Sequence, residues 1–99
     1  MMPKIASYHE TLIEDLKEPL EAASYIEVVL EEGDPIMLSK ALRNLIEAQG
    51  GFDRFYSSVQ ECYEKLDQML LEKGKIEFYY LSTLLDVLGL QFAVKVKSA

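Results

Sequence analysis

Apolar residues recur three and four places apart along most of this chain, then at every second place near its end. The first spacing is that of helices buried on one face, and the second is that of a strand. Leu12, Ile13 and Leu16 mark a short helix from Tyr8 to Lys17. It must stop near Glu18, because the residue before a proline avoids the helical region. Pro19 then opens a second helix, with Leu20, Ala23, Ile26, Val29 and Leu30 on one face. Glu31-Glu32-Gly33-Asp34-Pro35 reads as a stop followed at once by a start. Gly33 can take the left-handed conformation that closes a helix, Asp34 can accept from the next free N–H groups, and Pro35 suits a first helical position. The third helix carries Leu38, Ala41, Leu42, Leu45 and Ile46 to about Gln49, where Gly50-Gly51 ends it. A short fourth helix, capped by Asp53, is expected through Phe55 and Tyr56 to about Val59. The fifth is periodic at Cys62, Leu66, Met69 and Leu70 and stops at Gly74; the sixth runs from about Tyr79 to Leu88 and closes at Gly89.

Beyond Gly89, Leu90, Phe92, Val94 and Val96 alternate with Gln91, Ala93, Lys95 and Lys97, which predicts a strand over residues 90–97. One strand in a helical chain has no local partner, and an open edge invites pairing. The economical solution is a homodimer in which Leu90, Phe92, Val94 and Val96 meet their counterparts across a two-fold axis. The alternative is a tail packed on its own helices.

A chain of 99 residues is expected to form a single domain over 1–99: acidic N-terminal helices (1–33), a helical bundle (34–89) and the strand (90–97). Apolar content of 49% excludes a disordered chain. The longest apolar runs, such as Met69-Leu70-Leu71, are too short for a bilayer, so no membrane partner is expected. Met1-Met2-Pro3-Lys4 leads into no apolar run resembling an export signal, and a single Cys cannot close an internal disulfide. A reducing, cytoplasmic setting is therefore expected. The charge of −7 is uneven: residues 1–33 hold eight acids against Lys4 and Lys17, while residues 75–99 are slightly basic. An acidic third repels phosphate and attracts a basic partner, although acidity also serves solubility alone.

Several markers stand together in order: Tyr25-Ile26, the Glu31–Pro35 junction, Ala41-Leu42-Arg43, Gly51, Leu66, Leu70, Gly74, Phe78 and Leu88-Gly89-Leu90. Over residues 20–94 the chain resembles the addiction-module antidote family, small bacterial antitoxins with a λ-repressor-like (Xre-type) helix-turn-helix domain. The resemblance implies an all-α fold of five to six helices, which here would be joined by the C-terminal strand. It further implies an antitoxin-like transcriptional regulator that binds a small basic RelE-type toxin, a messenger-RNA endonuclease, and its own operator DNA. The departures fall on the DNA-reading part. In the turn between the two reading helices, where the family has a glycine, an apolar residue, a Ser that caps the recognition helix and then a base, this chain has Gln60, Glu61, Cys62 and Tyr63. From Gln60 to Glu72, Lys65 stands alone against Glu61, Glu64, Asp67 and Glu72, a balance that repels a duplex. Gln60, Tyr63 and Gln68 are the candidates for base contacts, and Arg54, Lys65, Lys73 and Lys75 for phosphate contacts. The alternative function is a protein-interaction module that kept the fold and lost DNA reading.

Glu10, Glu14, Asp15, Glu18, Glu21, Glu27, Glu31 and Glu32 are the candidate surface for a basic toxin. Metal or acid–base work by this cluster is disfavoured, since nothing apolar surrounds it to shift its protonation. His9 and Cys62 supply no ligand spacing, so no metal and no cofactor are expected. Cys62 fits a small core residue and His9 a solvated one. Tyr56, Tyr63, Tyr79, Tyr80, Phe52, Phe55 and Phe78 lack the interleaved bases of a nucleic-acid stacking surface and are expected to pack among the helices. No Ser/His/Asp set, phosphate loop or dinucleotide fingerprint points to an enzyme.

Overall fold

The computed structural model describes residues 5–98, with side chains from residue 8, so the reading of Met1–Lys4 lies outside the described residues. It is all-α: α1 (Ile5–Asp15), α2 (Pro19–Glu32), α3 (Pro35–Ala48), α4 (Ser57–Lys73) and α5 (Phe78–Val87), with one 3-10 turn at Phe52–Arg54.

The helix ends follow local chemistry. The Glu18 carboxylate accepts from the Leu20 N–H at the start of α2. Gly33 closes that helix at φ +72°, its N–H donating to Val29 O. Asp34 Oδ1 then accepts from Ile36 N at 2.9 Å and Met37 N at 3.4 Å, so two free donors of α3 are satisfied by one side chain. Glu77 does the same for α5, accepting from Tyr79 N at 2.8 Å and Tyr80 N at 3.3 Å.

Helix α3 is central, with α1, α2 and α4 packed against it and α5 packed on α4. Its inward face is Leu38, Ala41, Leu42, Leu45 and Ile46. Leu66 and Leu70 of α4, and Leu81, Leu84 and Leu85 of α5 packed on α4, join that face in one core and are equally buried. Ile26 and Val29 of α2, with Leu16, close the other side. Polar pins register the layers: Asn44 donates to the Tyr25 hydroxyl at 3.0 Å, Gln49 to Leu88 O at 2.9 Å, and Cys62 Sγ to Tyr80 O at 3.4 Å. Ser39, buried at an inward position of α3, donates its hydroxyl to Asp67 of α4.

Three expectations need correction. The separate fourth and fifth helices, and the turn placed at Gln60–Cys62, do not exist: α4 runs unbroken from Ser57 to Lys73. The cause lies in the residues themselves. No Gly or Pro interrupts this stretch, and Val59, Tyr63, Leu66 and Leu70 keep one apolar stripe through the place where the turn was expected. Asp53 caps no helix; it sits inside the 3-10 turn, which has no side-chain cap. The aromatic residues divide instead of packing together. Phe52, Phe55, Tyr63 and Tyr80 lie against the core, whereas Tyr56, Phe78 and Tyr79 are exposed.

Residues 88–98 form neither helix nor ladder in the single chain. Leu90 N donates to Leu85 O at 2.8 Å, which fixes how the tail leaves α5. Leu90 is half-buried, and Phe92 stacks on Phe78 with ring centroids 5.2 Å apart. Lys95 reaches Glu27 of α2 at 3.7 Å.

Candidate interaction surfaces

The residues chosen for DNA reading do not form one surface. In an α-helix each residue turns about 100°, which sets Tyr63 and Gln68 about 140° apart around α4. Gln68 is exposed on the side away from the core, while Tyr63 is half-buried at its rim. The Tyr63 ring meets Phe52 edge-on at 5.7 Å. Its hydroxyl interacts with the Arg43 guanidinium, which that contact and nearby Asp67 hold above the usual arginine range. Gln60 is spent internally, its amide donating to Phe55 O at 2.9 Å where the chain turns into α4. A side chain already satisfied by backbone must give up that bond to reach a base.

The cation set is also scattered. Lys65 pairs with Glu61 one turn away at 3.4 Å. Arg54 lies over the backbone of Gly50, whose φ of +111° requires glycine there. Lys73 and Lys75 are exposed at the far end of α4 and form no ion pair among the described residues. Glu61, Glu64 and Glu72 remain exposed along the helix between these anchors.

The acidic set is placed otherwise. Glu10, Glu14 and Asp15 on α1, Glu18 at the junction, and Glu21, Glu27, Glu31 and Glu32 on α2 are all exposed. Among the described residues only two of them meet a cation: Glu14 with Lys17 at 2.9 Å and Glu27 with Lys95 at 3.7 Å. His9, exposed on α1 beside Glu10, reaches Glu47 of α3 at 3.2 Å. No group of three or more His, Cys, Asp or Glu among the described residues is arranged to hold a metal ion, and no described helix is long and apolar enough to cross a membrane.

A second feature lies between α2 and the tail. An apolar groove of about 410 Å³ is floored by Ala23, Ile26, Leu30 and Leu85 and rimmed by Glu27 and Glu31. The tail forms its other wall through Leu90, Phe92 and Ala93. The sequence carried half of this signal: alternation singled out Leu90, Phe92, Val94 and Val96, but not what they would face. Phe92 is 38% exposed, whereas Val94 and Val96 are 101% and 96% exposed. The Ser39–Asp67 pair gave a fainter signal, a serine on an otherwise apolar helical face.

Comparison of the chain with protein-family models, with curated proteins and with solved structures gives no match.

Proposed function

We propose that this chain is a small protein-docking module of antitoxin-like build, which takes a basic protein partner on α1 and α2 and associates with a second copy through residues 90–97. The observation that carries this reading is the exposure of eight carboxylates from Glu10 to Glu32, six of them without a cation partner among the described residues. Such a concentration of negative charge on α1 and α2 steers a basic protein at long range and repels nucleic acid. A RelE-type ribonuclease, which needs a cationic surface to handle RNA, fits that field. The resemblance to the addiction-module antidotes supports the same partner class.

Operator binding is the second reading, favoured by Arg54, Lys73 and Lys75, which lie exposed near the two ends of α4. Against it stand the unbroken helix where a turn was expected, the internal use of Gln60 and Tyr63, and three exposed glutamates between the cations. One experiment separates the two. Glu21, Glu31 and Glu32 are reversed to Lys, and association with a small basic RelE-type ribonuclease is followed by surface plasmon resonance at low and high salt. The expected result is an on-rate reduced about tenfold or more at low salt, with the loss shrinking as salt screens the field. An unchanged on-rate returns the acidity to a solubility role. A duplex of the chain's own upstream DNA, titrated under the same conditions, should form no complex; a complex with a steep salt dependence restores the operator reading.

A further inference from the structure

Residues 90–97 alternate apolar and polar, yet only their first half is covered. Leu90 is half-buried and Phe92 stacks on Phe78, while Val94 and Val96 touch nothing that hides them. Beside them the groove floored by Ala23, Ile26 and Leu30 is open. One chain therefore holds both an unfilled apolar groove and two bare β-branched side chains, and the bare valines cannot fold back into a groove that their own strand walls. We infer that the groove seats Val94 and Val96 of a second copy, in an antiparallel pairing centred on Ala93. The inference rests on the self-association part of the reading above and adds its register and its docking site.

The register follows from side-chain parity. Residues directly opposite in an antiparallel pair share a face of the ribbon. Centring on Ala93 sets each Val94 opposite Phe92 and each Val96 opposite Leu90, so that every bare residue meets a covered one. A centre at Phe92 leaves each Val96 opposite Leu88, which ends α5 and is already buried. A centre at Val94 pairs bare Val94 with bare Val94 at the two-fold and leaves each Leu90 opposite the polar Ser98. A shift by a single residue turns the apolar face outward. Charge agrees with the docking: the groove is rimmed by Glu27 and Glu31, and the arriving strand carries Lys95 and Lys97. The Lys95–Glu27 pair within one chain spans two largely exposed groups, so exchanging it for the second copy's lysines costs little.

The test uses the full chain with Cys62→Ser, to which Ala93→Cys is added. At the two-fold the two Cα atoms at position 93 would lie about 4.5–5.5 Å apart, inside the span of a disulfide. Mild oxidation should convert most of the protein to covalent dimer, and a matching Gln91→Cys variant should cross-link far less. Sedimentation equilibrium from about 1 µM to about 1 mM should show a monomer–dimer equilibrium in the parent. Val94→Asp with Val96→Asp, and separately Ala23→Arg in the groove floor, should each weaken it at least tenfold while the helical circular dichroism stays unchanged. A parent that stays monomeric throughout overturns the self-association reading, and this inference with it. A dimer that fails to cross-link at position 93, or that survives both the valine and the groove substitutions, overturns the docking alone.

Discussion

Replacing Gln60 by glycine separates two descriptions of the middle of the chain. In one, residue 60 lies within the first turns of a continuous helix; in the other, it lies in a turn where glycine is the preferred residue. In α4 the substitution has two costs. Glycine in a helix interior is less favourable than glutamine by roughly 0.5–1 kcal/mol. Losing the half-buried amide bond to Phe55 O costs about 0.5–1.5 kcal/mol more. The sum is about 1–2.5 kcal/mol, which for a chain of this size lowers Tm by about 10 °C. Gln60→Ala isolates the second cost, since alanine removes the bond and keeps helix propensity. Urea unfolding followed at 222 nm on all three proteins should therefore order them parent, then alanine, then glycine, with about 1 kcal/mol between the last two. A glycine variant as stable as the alanine variant, or more so, would refute the continuous helix and restore the turn.

Leu66→Ala should cost about 2–5 kcal/mol, because Leu66 is fully buried between α3 and α5; a loss under about 1 kcal/mol in denaturant unfolding would mean that the site collapses or was never packed. Asp34→Ala removes the acceptor for two N–H groups of α3 and should lower stability by about 1 kcal/mol, with Asp34→Ser recovering most of it in the same assay. Burial, assisted by Glu77 and opposed by Lys65, pushes the Cys62 thiol up from its ordinary value. Native protein should then react with iodoacetamide more slowly than urea-unfolded protein at the same pH. The sign for stability follows. The raised folded value favours the protonated thiol, so its contribution is present below the unfolded thiol value and is lost as pH rises through the folded one. Cys62→Ala should therefore show a shallower loss of stability on the alkaline side.

Helix ends were legible wherever one residue decides the backbone. Gly33, Asp34 and Pro35 stop one helix and start the next through φ, a side-chain acceptor and a missing N–H, all local properties. Gly74 ends α4 for the same kind of reason, at φ +64°. The break expected between Val59 and Cys62 rests on reading Asp53 as a cap and Cys62 as the start of a new periodic run, and the family's turn falls at the same place. The apolar stripe from Val59 to Leu70 nevertheless runs straight through it. Contacts between distant residues were less accessible. Nothing local ties Ser39 to Asp67, 28 positions away, and only the packing of α3 on α4 brings them together. Likewise, period two states which tail residues share a face, and not that Phe92 finds Phe78 while Val94 finds nothing. The acidic surface was readable because exposed charge needs no partner to be placed.

The bond from Gln49 to Leu88 O joins the last residue before the Gly50-Gly51 bend to the last turn of α5. It acts as a tether between a bend and the point from which the tail departs. Leu88 itself is buried, so the core holds its position; Gln49 orients its peptide plane two residues before the Leu90 N–H meets Leu85 O, and the two bonds together set the direction in which residues 90–98 leave α5. Gln49→Ala removes the first bond and leaves the leucine core, the Leu90–Leu85 bond and the Phe92–Phe78 stack in place, so the tail loosens at its root. The aim of the tail is thus shared between the end of α5 and the bend after α3, two places far apart in the chain that one side-chain amide joins.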